Sequence, residues 1–127
     1  MVNRELSLEE ILRLRAPRLP LFLLFMHHRP DAPAPGSPEF RVVLREHLLY
    51  WWELEEQGVL IAAGPQAGGP AYGDGLAILA ARTREEADSI AADEPFARAG
   101  IRTNTVVDWT LNEGALVALV QAAANDA

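Results

Sequence analysis

The stretch from Pro38 to Gln57 sets Phe40, Val43, Leu44, His47, Trp51 and Leu54 at the three- and four-residue steps of one helical face. A one-sided helix of this length has to lay its apolar stripe against a second layer, so the rest of the chain must supply one. Its ends are marked as well. Ser37 is a good N-cap, Pro38 a favoured first helical residue, and Gly58 a natural terminator. His47 interrupts the apolar stripe. Such a histidine is either satisfied by a backbone carbonyl in the core or paired with a carboxylate, because an unpaired buried charge is costly.

The second layer reads as a sheet. Leu21 to Met26 is a continuous apolar run, expected to be a strand buried on both faces, with His27 and His28 at its exit. Residues 29–38 are rich in proline and form a loop. Val59 to Ala63 and Leu76 to Ala81 are the next strands, joined by a glycine-rich connection over 66–75. Ile101 to Leu111 alternates most cleanly: Ile101, Thr103, Thr105, Val107, Trp109 and Leu111 face one way, and Arg102, Asn104, Val106, Asp108 and Thr110 the other. Two capping boxes, Ser7 to Glu10 and Thr83 to Glu86, open further helices, the second running to about Ala92. Ala115 to Ala124 reads as a C-terminal helix or docking tail.

The resulting order is a helix, then β-α-β-β-α-β, then a tail. That core is the α+β, ferredoxin-like arrangement, an antiparallel four-stranded sheet with both helices on one face. The uncovered face calls for a cover, and a second subunit is the simplest one, so a homodimer is expected. One domain over 1–127 is expected, with an N-terminal helical extension over 1–18, the core over 20–112 and a tail over 113–127.

Composition narrows the function. Half the residues are hydrophobic and 23% are charged, an ordinary soluble composition. The net charge of -7 disfavours nucleic acid or an anionic membrane as partner. Without cysteine there is no thiol catalysis, disulfide or thiolate metal site. Charges in the first ten residues rule out a signal-peptide core there, and Leu21 to Met26 falls short of the roughly 20 residues of a membrane span, so a cytoplasmic protein is expected.

Arg45-Glu46-His47-Leu48 with Gly58-Val59-Leu60-Ile61-Ala62-Ala63-Gly64-Pro65, and then Asp93-Glu94-Pro95-Phe96-Ala97-Arg98-Ala99-Gly100-Ile101, resemble the YCII-related family in order and spacing. That family lies in the dimeric α/β-barrel superfamily, whose members include muconolactone isomerase and cofactor-free monooxygenases. The resemblance covers roughly residues 20–112 and implies an active-site pair of the helix histidine, here His47, with the acid before the proline. In this chain either Glu94, directly before Pro95, or Asp93 fills that role; the motif spacing nominates Glu94. An arginine common three residues before the histidine is replaced by Leu44.

A neutral imidazole backed by a carboxylate is a general base near pH 7. With no G-x-S-x-G and no G-x-G-x-x-G element after a strand, proton transfer remains: isomerisation, elimination or dehydration of a small carbonyl-bearing or aromatic metabolite. The catalytic candidates are His47 with Glu94 or Asp93. The substrate-binding candidates are Tyr50 and Trp51, three and four residues on, and Arg102 and Asn104, on a face between sheet and partner. No cofactor and no metal is expected. His27 and His28 point to opposite faces, and Asp74, between two glycines, reads as a turn residue. The competing reading is a non-catalytic small-molecule-binding or accessory module of the same fold.

Overall fold

A computed structural model describes residues 1–15, 18–70 and 72–125. The elements in order are α1 (Leu8–Arg15), β1 (Leu19–His28), α2 (Pro38–Glu56), β2 (Leu60–Pro65), β3 (Gly75–Leu79), α3 (Arg84–Asp93), α4 (Pro95–Arg98), β4 (Arg102–Leu111) and α5 (Leu116–Asn125). The strands form one sheet in the order β2-β3-β1-β4, with β1 and β2 both antiparallel to β3. This is the α+β ferredoxin-like fold. The chain divides into two compact units, Leu21–Trp109 and the two ends, Met1–Pro20 with Thr110–Ala127. Among the described residues, no helix is long and apolar enough to cross a membrane.

In the larger unit, the register decides which side of the sheet is inside. Phe22, Leu24 and Met26 pair with Leu79, Ala77 and Gly75 on the helix-covered face. There Leu24, Met26, Ala77 and Leu79 pack with Trp51 of α2 and with Ile90 and Ala91 of α3. Burying each of the larger side chains is worth about 1.5–3 kcal/mol. Leu23 and Phe25 lie opposite Ile78 and Leu76 on the other face and are only partly buried. The expectation that β1 is buried on both faces therefore does not hold within one chain, because the helices cover one side.

Strand β4 keeps the expected period of two as far as Val107, beyond which Asp108 is exposed and Trp109 half-buried. Its polar side faces the helices: Arg102 is buried and Asn104 and Val106 half-buried, while Thr103, Thr105 and Val107 are exposed. The placement of Arg102 and Asn104 between sheet and partner is thus corrected. Local signals end the helices. At the end of α2, Gly58 has φ +76°, and the N–H groups of Gly58 and Val59 donate back to Glu55 and Leu54, a left-handed cap that only glycine adopts without strain.

In the smaller unit, the Ser7 capping box forms as read: Glu10 N–H donates to Ser7 Oγ and Ser7 N–H to Glu10 Oε1. Helix α1 has no buried residue, and Val120 of α5 is buried.

Candidate active site

Helix α2 starts where Ser37 Oγ accepts the N–H of Phe40, and it carries His47 near its middle, 9% exposed. The acidic partner comes from a break between two helices. Pro95 disfavours a helical conformation at the residue before it. Accordingly α3 stops at Asp93 and Glu94 is extended, at φ -59° and ψ 129°. Glu94 then caps the four-residue helix α4, Oε2 accepting the N–H of Ala97 at 3.0 Å. Its other oxygen, Oε1, accepts a hydrogen bond from His47 Nδ1. At the far end of α4, Gly100 (φ +73°) lets the N–H groups of Gly100 and Ile101 return to Ala97 and Phe96. The motif from Glu94 to Gly100 is therefore a single helical turn capped at both ends.

Glu94 is completely buried. Burial pushes its carboxyl up, but the hydrogen bond and charge of His47, with the N–H groups of Phe96 and Ala97, outweigh it and hold the group below the usual carboxylate value. Asp93, the alternative acid, is exposed on the last residue of α3 and is not hydrogen-bonded to His47. Among the described residues nothing hydrogen-bonds His47 Nε2, and that atom is not sealed from solvent.

Phe96 holds the surroundings together. It is fully buried, stacked on Phe40 at 4.7 Å, tilted against the His47 ring at 4.7 Å, and covered by the Arg102 guanidinium at 4.4 Å. Arg102 Nη2 donates to the carbonyl of Gly73 at 3.1 Å. Gly73 has φ +95°, and a Cβ there would stand 2.8 Å from Pro35 Cγ, so no larger residue fits this turn unchanged. Asp74 does more than turn the chain: its Oδ1 accepts the N–H of His28 at 2.7 Å and its Oδ2 lies 3.3 Å from His27 Nδ1. Burial raises the Asp74 carboxyl, and these bonds, with the charges of His27 and Arg102, lower it further than burial raises it. Among the described residues, no three side chains of metal-ligating type converge.

His47 and Arg102 open onto a cleft of about 570 Å3, whose walls include Phe40, Trp51, Trp52 and Tyr72. This is the size and character of a small-molecule site. Of the residues singled out in the sequence, His47, Trp51 and Arg102 line it and Tyr50 and Asn104 do not. Tyr50 and Trp51, three and four residues after His47, fall on opposite sides of it around the helix. Tyr50 turns to α3, donating to the carbonyl of Ile90 at 2.8 Å; burial, then the charges of Asp93 and Glu94, push its phenol up to about 12. Asn104 donates to the carbonyl of Ala91 at 2.9 Å, and Asp108 accepts from Arg84. Trp52, Tyr72, Gln66 and Glu55 also line the cleft and were not singled out. Trp52 and Glu55, one helical turn apart, carried the only available signal.

A ferredoxin-like sheet whose long helix presents a histidine to a carboxylate before a proline defines a class, and the chain belongs to it: the profile of the YCII-related domain matches residues 21–110. Among solved structures it is similar to the 5-chloro-2-hydroxyhydroquinone dehydrochlorinase TftG from Burkholderia phenoliruptrix AC1100, in complex with 2,5-dihydroxybenzoquinone. The two are 26% identical, the match covers 70% of this chain and 92% of that one, and the TM-score is 0.55. No curated protein sequence matches the chain.

Proposed function

We propose that this protein is a small dimeric enzyme of lyase or isomerase type that moves a proton on a small carbonyl-bearing or aromatic metabolite. The observation that carries the reading is the state of the His47 ring, with Nδ1 held by buried Glu94, no hydrogen-bond partner on Nε2 among the described residues, and the residue itself in the cleft wall. Glu94 fixes the tautomer that leaves Nε2 unprotonated, and it stabilises the imidazolium once a proton arrives. His47 Nε2 then takes a proton from a hydroxyl or an activated carbon, and a leaving group departs or a double bond shifts. Glu94 positions; it does not touch the substrate. Trp51, Trp52 and Phe40 give the cleft apolar walls suited to a flat ring.

The similar structure supports the reaction class, being a dehydrochlorinase bound to a hydroxylated quinone. The open sheet face, with Leu23, Phe25, Leu76 and Ile78, supports the dimer. The test is a set of small phenols, hydroquinones and enolisable carbonyl compounds, 5-chloro-2-hydroxyhydroquinone included, followed in D2O by NMR. Wild type should give elimination, isomerisation or deuterium exchange that His47→Ala loses. Turnover that survives His47→Ala, or compounds that bind and return unexchanged, would overturn the reading and leave a binding module.

A further inference from the structure

Arg102 is 7% exposed yet lines the cleft. Its Nη2 meets a neutral carbonyl, Gly73 O, its Nη1 lies 3.8 Å from Met26 Sδ, and its Nε has no partner among the described residues. No carboxylate touches it, and the charges of Glu94 and Asp74 act on it only from beyond contact distance. Glu94 is engaged by His47 and Ala97, and Asp74 by His27 and His28. A guanidinium stays charged inside a protein, and burying it without a contacting counter-charge is unfavourable. The face of Phe96 offsets part of that cost. Space is kept beside the group: a Cβ on Gly75, also in the cleft wall, would stand 3.4 Å from Arg102 Nη1 and 3.0 Å from Met26 Cε. Glu55 lines the cleft too, but it is exposed, so water and salt screen its charge more than that of the buried guanidinium.

We infer that the ligand supplies a contacting counter-charge: the cleft takes a small unsaturated molecule bearing an oxygen anion, and Arg102 binds that oxygen. The substrate of His47 is thus an ionised enol, phenol or carboxylate compound rather than a neutral one, an assignment that rests on the small-molecule reading of the cleft. Charge-assisted hydrogen bonds are shorter and roughly twice as strong as neutral ones, and the Arg fork is suited to them.

Isothermal titration calorimetry tests this with matched pairs. 2,5-Dihydroxybenzoquinone, ionised at neutral pH, is compared with 2,5-dimethoxybenzoquinone, and 2,5-dihydroxybenzoate with its methyl ester. With no cysteine and with arginine at all 11 Lys/Arg positions, the chain offers quinones no thiol or lysine amine to react with. The ionised member of at least one pair should bind about tenfold tighter or more. Which pair shows it identifies the enolate or the carboxylate as the source. Arg102→Met should remove the preference, and Gly75→Ala, whose Cβ presses on Met26 Cε and fills the space next to Nη1, should weaken the anion more than the neutral partner. His47→Ala should keep the preference, so a failure of the catalytic reading stays separate from a failure of this one. Equal affinities within both pairs in wild type would overturn the inference, as would a folded Arg102→Met that still prefers the anion. Should Arg102→Met not fold, Gly75→Ala decides: an unchanged preference there overturns the inference.

Discussion

Glu94→Gln keeps the shape of the acid and removes its charge, and the structure fixes what has to give. The carboxylate serves two sides, His47 Nδ1 on Oε1 and the backbone at the start of α4, with the Ala97 N–H on Oε2. A carboxamide has one oxygen and satisfies only one of them. The backbone N–H of Ala97 cannot change its protonation, whereas an imidazole can move its proton between nitrogens. The amide oxygen should therefore stay on Ala97 and its NH2 face Nδ1, forcing the ring proton onto Nε2. The cleft then meets a donor where wild type presents an acceptor. Both partners are almost fully buried, so solvent screens the pair little. Losing a charge-assisted hydrogen bond costs roughly 1.5–3 kcal/mol, and relief of the buried charge returns part of it, leaving about 1–2 kcal/mol. Turnover should fall by about 10²-fold or more, since the base is in the wrong tautomer. Two-bond 1H–15N correlation spectra of the 3 histidines read the tautomer directly, without a substrate. The pH dependence has a definite sign. The folded-state Glu94 carboxyl lies below its ordinary 4.5 because His47 and two backbone N–H groups outweigh burial, so the unfolded chain takes up the proton first. The stabilisation is complete above about pH 4.5 and is lost as pH falls through the folded-state value. The variant lacks this titration and should lose less stability on acidification. An unchanged His47 tautomer in the variant would refute the reasoning.

His47→Ala should cost no more than about 2 kcal/mol in chemical denaturation, because Glu94 keeps the N–H groups of α4 and is not orphaned; global unfolding would mean the histidine is structural. Asp93→Asn should change stability by less than about 0.5 kcal/mol and leave the His47 tautomer unaltered in the same spectra, since Asp93 is exposed. Sedimentation at micromolar concentrations should show a homodimer, and Leu76→Glu, on the open face at 41% exposure, should shift it to monomer; a monomeric wild type would overturn the assembly.

What was legible in the sequence was whatever is fixed within a few residues. Ser7 with Glu10 and Thr83 with Glu86 are reciprocal three-residue devices, and both helices start there, although Glu86 Oε2 reaches back to Arg82 N–H in place of Thr83. The period of β4 was legible for the same reason. Which side of it faces inward was not, because apolar alternation points Thr103, Thr105 and Val107 at the core. The choice is made by two distant groups, the Phe96 ring under the Arg102 guanidinium and the Gly73 carbonyl at its tip, and both lie far from β4 in sequence or across a turn. Tyr50 and Trp51 show the limit of spacing arguments. Each neighbours His47 on the helix, yet one faces α3 and the other the cleft.

Glu94 shows why local sequence alone does not tell which of two carboxylates pairs with His47. Short side chains are the preferred N-caps, and glutamate is not among them. Local capping logic thus gives no reason to single out Glu94, while Asp93 looks like a turn residue satisfying nearby N–H groups. The violation makes sense once one carboxylate has two tasks: it must cap Ala97 locally and also reach His47, 47 residues earlier in the chain. A longer side chain does both. The cap fixes the carboxylate by backbone contacts that do not involve the histidine, so the acid is in place whether or not the ring is protonated. Pro95 keeps Glu94 extended and off the end of α3, and Phe96, one residue on, packs against the face of the same ring. The turn from Glu94 to Gly100 therefore holds both the charge and the apolar wall of His47 as one rigid piece. The base proposed here would have to cycle between neutral and protonated states, and that kind of support is what such a role requires.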